Sequence, residues 1–134
     1  MKKIFAILLV TVFTSCLPAL EPPKSNTDYK NIIGKPTKVG NIEVAQYDFP
    51  EKMNWEDAIK SCDELGKGWK LPNKDELDYL YTNRVPIGGF ANYAYWSSTE
   101  NYTYYAWAQY FNGGNKVQGN KINAMFYVRA IRVL

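Results

Sequence analysis

With no histidine among its 134 residues, the first candidates in this chain for acid–base chemistry are its carboxylates. The missing histidine removes Ser-His-Asp and Cys-His relays, imidazole general bases and His-ligated zinc. Two carboxylate sets remain. Asp75, Glu76 and Asp78 fall on different faces of one helix, so they read as compensation of the helix dipole plus a solvated face. Asp48, Glu51 and Glu100 are the residues a carboxylate-based glycan hydrolase would draw on, but nothing in their spacing makes them converge as catalysis requires. No catalytic residue, metal site or cofactor is expected.

The second chemistry is recognition by aromatic rings. Aromatic residues make up 16% of the chain, with 11 Tyr, 6 Phe and 4 Trp. They concentrate between residues 93 and 111. There Tyr93, Tyr95, Tyr102, Tyr104 and Tyr105 alternate with Glu100 and Asn101. A tyrosine offers a flat apolar face and a polar tip, suited to a sugar ring or a protein interface. Asn112, Asn115, Lys116 and Asn120 follow and are candidates for directional hydrogen bonds. The competing reading is that these rings fill the core, and for Trp55, Trp69, Trp96 and Trp107 it is the preferred one.

The elements that position these residues are partly visible. Residues 42–49, IEVAQYDF, have strand composition, with imperfect alternation after Ala45 and a stop at Pro50. Asn54 is a helix cap, and Trp55, Ala58, Ile59, Cys62 and Leu65 form one apolar face, ending at Gly66. Asn73 and Glu76 have capping-box spacing for a second helix with Leu77, Leu80 and Tyr81 buried, ending near Asn83. Residues 85–123 read as loop-rich, with a strand at 106–111. Residues 125–134, MFYVRAIRVL, are the strongest strand, with Arg129 and Arg132 facing outward or pairing with acids. Two helices among strands make an α+β domain.

The N-terminus has a separate role. Lys2 and Lys3 precede a short apolar core and the small residues Thr14 and Ser15, followed by Cys16. This is the layout of a secretory signal, too short to span a bilayer. Its end at Cys16 resembles a bacterial lipobox, with Phe13 where Leu is usual. Residues 1–15 are therefore expected to be a lipoprotein signal peptide. Residues 16–37 are expected to be a lipidated Cys16 and flexible tether, and 38–134 the domain. Loss of Lys2 and Lys3 leaves 14 basic against 13 acidic residues, a net charge of +1. Without a basic cluster, nucleic acid is not an expected partner.

The ordered set Trp55-x-x-Ala58-x-x-x-Cys62, Trp69-Lys70-Leu71-Pro72-x-x-x-Glu76-Leu77, Tyr95-Trp96-Ser97-Ser98-Thr99-Glu100 and Val128-Arg129-Ala130-Ile131-Arg132 resembles the bacterial Lcl C-terminal-like domain family. The resemblance covers residues 55–132. It implies a C-type-lectin-like fold, shared with formylglycine-generating enzymes, with two helices on small antiparallel sheets and a long loop region. Many relatives carry a Cys where Ala130 stands, and in C-type-lectin-like domains it bridges the first helix. Cys62 is therefore expected to be reduced and buried near Ala130. The Glu-Pro-Asn and Trp-Asn-Asp motifs of calcium-dependent lectins are missing, as is a redox cysteine pair.

Together these readings predict a bacterial envelope lipoprotein, held to the outer membrane or cell surface by its lipid, or otherwise secreted. Its non-catalytic domain would recognise a glycan or a protein through the aromatic loop region. The alternatives are a structural envelope lipoprotein without a dedicated ligand, and the carboxylate hydrolase above.

Overall fold

The structure, a computed structural model, describes residues 31–134. The signal peptide, Cys16 and the first part of the tether lie outside the described residues. The packed chain begins ahead of residue 38: Ile32 is buried, and the carbonyls of Ile32 and Ile33 accept from the amides of Tyr47 and Gln46.

Helix α1 (Trp55–Asp63) starts where Asn54 accepts the amide of Asp57, with Glu56 and Asp57 in its first turn. It buries Trp55, Ala58 and Cys62. Helix α2 (Lys74–Thr82) opens on a complete capping box between Asn73 and Glu76 and buries Leu77 and Leu80. Both helices match their sequence signals because caps and apolar spacing are local properties. A short helix α3 (Arg84–Ile87) follows.

Two three-stranded antiparallel sheets complete the fold. The first is ordered β1 (Thr37–Val39), β2 (Ile42–Val44), β6 (Ile131–Val133), with Val44 opposite Ile131. The second is a meander of β3 (Ala94–Asn101), β4 (Tyr105–Tyr110) and β5 (Lys116–Asn120). Strand composition at 42–49 and 125–134 thus yields only three-residue strands. Beyond them the two segments stay side by side through sparse bonds, Ala45 to Ala130, Phe49 to Val128 and Met53 to Phe126. Gln46 and Tyr47 turn their amides to the 32–33 segment instead, which breaks the ladder where the alternation fails.

The stretch expected to be a long loop region is mostly this second sheet. Its irregular parts are the approach to β3 and two turns. A β-bulge separates the Trp96 and Glu100 pairings on β3. There the Ser97 carbonyl accepts the Trp55 indole at 2.9 Å, the Ser98 amide reaches the Pro72 carbonyl, and Thr99 Oγ1 accepts the Lys74 amide. The bulge ties the meander to both helices.

The core lies between the sheets and helices. Trp55, Trp69 and Trp96 are buried in it with Cys62, Val128 and Ala130. Trp107 is only partly buried, its ring covered by Lys74 Nζ at 3.6 Å. Cys62 is unpaired, and burial followed by the neighbouring Asp63 pushes its thiol pKa up, as for an inert interior thiol. Among the described residues, no helix is long and apolar enough to cross a membrane.

Candidate functional site

The meander distributes the candidate residues to two ends of one sheet. The β3–β4 turn carries Asn101, Tyr102, Tyr104 and Tyr105, with Glu100 beside them and Asn120 paired opposite Tyr105. The β4–β5 turn carries Asn112 and Asn115 and leads into Lys116. Tyr93 sits at that second end, its carbonyl accepting the Phe111 amide. Strand β4 between the turns has six residues, which at about 3.4 Å per residue separates the groups by roughly 17 Å. The set expected from sequence as one patch is therefore two.

At the β3–β4 turn the rings are in solvent: Tyr102 is 82% exposed, Tyr104 66% and Tyr105 41%. Tyr102 has φ 63°, a left-handed conformation that strongly favours glycine over a bulky residue. Below the turn, Lys121 Nζ donates to Glu100 Oε2 at 2.6 Å and to the Thr103 carbonyl, and lies 4.5 Å over the Trp55 ring. That lysine anchors the turn to α1. Asn120 is committed to structure, its Oδ1 accepting the amides of Ile122 and Asn123. At the other end, Lys116 pairs with Asp78 at 3.1 Å, and Asp78 also accepts from Gln109. These two hydrogen bonds hold the Asp78 carboxyl below its ordinary range.

Tyr95 is a correction. It is fully buried and presents no ring to a ligand. Its hydroxyl donates to Asp48 Oδ2 at 2.6 Å and accepts the Ala91 amide. Arg129 takes the second of its two expectations, pairing with an acid, and does so in the interior. It is 1% exposed, and its Nε donates to Asp48 Oδ1 at 2.5 Å. The rest of its guanidinium donates to the carbonyls of Ala45, Gly88 and Gly89. The Asp48 carboxyl sits above its ordinary range because burial outweighs the opposing pull of Arg129 and Tyr95. Arg132 pairs with Glu43, as one of its two expectations had it.

Over this buried pair lies a concavity of about 500 Å³, lined in part by Tyr47, Asp48, Phe49, Gly88, Gly89 and Tyr127. Tyr127 stacks on Tyr93 with centroids 5.8 Å apart, and Lys52 Nζ lies over both rings. Sequence reasoning missed Tyr47 and Tyr127 as surface groups because the segments carrying them meet only in the folded chain. Asp48 and Glu100, two of the three carboxylates considered for hydrolysis, are each held by a cation, in different surroundings. Among the described residues, no group of three or more Cys, Asp and Glu could hold a metal ion.

A compact α+β domain with two short sheets, paired terminal segments and a bulged meander defines a C-type-lectin-like fold. The chain belongs to the Lcl C-terminal domain family, whose profile matches residues 30–132. Among solved structures it is similar to botrocetin, with a TM-score of 0.56 at 14% identity, covering 75% of this chain and 98% of that one. It is also similar to botrocetin in complex with a mutant A1 domain of von Willebrand factor, with a TM-score of 0.54 at 13% identity and the same coverage. No curated protein matches the chain.

Proposed function

We propose that this domain is a non-catalytic binding module of an envelope lipoprotein, and that it engages a protein partner through the β3–β4 turn. The observation that carries this reading is Tyr102. A large ring at 82% exposure on left-handed backbone contributes nothing to packing and costs about 1 kcal/mol or more in strain. Local stability alone would favour glycine there. With Tyr104 and Tyr105 it gives the turn, here called the tip, three exposed tyrosines, a residue type that anchors protein interfaces. The two similar structures support a binding role, since one is a complex with a protein domain. Engagement of Asp48 by Arg129 and of Glu100 by Lys121 favours binding over hydrolysis.

The test compares wild type with Tyr102→Gly and with a Tyr102→Ala, Tyr104→Ala double variant. Each is presented in parallel to envelope and surface protein fractions and to a glycan array. Tyr102→Gly is expected to hold or raise stability by up to about 1 kcal/mol while weakening capture of a protein partner about tenfold. Capture unaffected by both variants removes the tip from the proposal. Binding confined to the array moves the assignment to a glycan, and a constant co-purifying partner untouched by the variants favours the structural lipoprotein.

A further inference from the structure

The concavity over Asp48 and Arg129 lies away from the tyrosine tip and has the composition of a separate site. Its walls are aromatic. Tyr47 is 53% exposed, and Tyr127 is partly buried with its ring held by Tyr93. Its rim is the Gly88–Gly89 backbone, with positive φ at both glycines. A Cβ added at Gly89 would meet Arg129 Nη2 at 3.4 Å, so side chains there crowd the guanidinium. Its floor is the Asp48 carboxylate, fixed by Tyr95 on one oxygen and Arg129 on the other. A volume of about 500 Å³ is in the range of small-ligand sites.

Charge narrows the ligand. Asp48 and Arg129 cancel, so the floor carries oriented acceptor atoms without net charge. Arg129 spends its donors on Asp48 and on the carbonyls of Ala45, Gly88 and Gly89, which leaves little at the floor to grip an anion. Lys52 Nζ beside the wall lies over the Tyr93 and Tyr127 rings, and the charged arm of the experiment reads whether it recruits an anion. An ammonium ligand would have to compete with a guanidinium already at 2.5 Å from Asp48. What fits is a neutral molecule with a flat apolar face for the tyrosines and hydroxyls that donate to fixed acceptors. We infer that this concavity, formed by Tyr47, Asp48, Tyr127 and the Gly88–Gly89 rim, is a subsite for one neutral hexopyranose ring of a saccharide. The inference is independent of the tip: either site can fail without the other.

The experiment is a titration of the folded ¹⁵N-labelled domain, followed by amide shifts. The probes are the N-acetylglucosamine trimer, maltotriose, mannotriose and, as the charged arm, a galacturonate trisaccharide. At least one neutral trimer is expected to give saturable shifts at Gly88, Gly89 and Tyr127 in the millimolar range. Tyr47 is half-exposed, so Tyr47→Ala is expected to keep the fold while weakening that binding about tenfold. Tyr102→Gly is expected to leave it unchanged. The inference is overturned if no neutral trimer produces saturable shifts there, if Tyr47→Ala binds as wild type, or if the galacturonate is preferred.

Discussion

Arg129 joins three stretches of chain through one side chain. Its guanidinium fixes Asp48 after β2, closes the Gly88–Gly89 turn and lies 4.2 Å over the Phe90 ring. A planar fork with five donors suits this role, whereas an ammonium group cannot reach carbonyls on several sides at once. Removing one member of a buried ion pair strands the other, at a cost of about 3–5 kcal/mol. We therefore expect Arg129→Met to lower stability by that amount in urea denaturation and Arg129→Lys to recover less than half of it. Recovery to wild type by lysine would show that charge alone suffices. At this scale the sequence left the two fates of its tyrosines open. Tyr95 and Tyr93 are two positions apart, yet one is in the core and the other in solvent. What separates them is Asp48, 47 residues from Tyr95, which supplies the buried hydroxyl's partner.

Among the elements, the helices were legible because Asn54 and the Asn73–Glu76 box act within one turn. Strand β3 was not, since Ser97, Ser98 and Thr99 lack strand-like apolar spacing; their polar groups are satisfied by Trp107, Pro72 and α2, not by a regular ladder. The terminal strands were overestimated for the opposite reason: residues 125–134 are apolar enough, but their neighbours alternate between backbone and core contacts. Strand β5 carries a stricter demand. A Cβ added at Gly119 would lie 2.4 Å from Trp96 Cη2 and 2.6 Å from Phe126 Cε2, so β5 can cross the core rings only as bare backbone. Gly119→Ala is expected to destabilise the domain by about 1–3 kcal/mol and to broaden the Trp96 indole resonance. A variant as stable as wild type would mean those rings can yield.

For the whole molecule, the sequence legibly carried the fold through the family motifs, and the site only as a list of residues. The meander then divided that list between two ends of a sheet, a division that depends on register and so on non-local pairing. Membrane attachment, expected from the sequence, would rest on Cys16, outside the described residues. An alkyne-palmitate label fed to expressing cells should enter the protein and be lost in Cys16→Ser, and the substituted protein should leave the membrane fraction. No label in either protein would point to ordinary secretion, and equal labelling of both would place the lipid elsewhere than Cys16.

Segment 128–134 closes much of this architecture. It supplies the outer strand of the first sheet, bonds Lys70 on its other side through Ile131, and places Arg129 and Arg132 on acids 81 and 89 residues earlier. Without it Asp48 lacks its counter-ion and the central strand β2 lacks one of its two neighbours, whatever the helices and the meander do. Folding must therefore bring together residues more than 80 positions apart, and pairing so distant in sequence makes it slow.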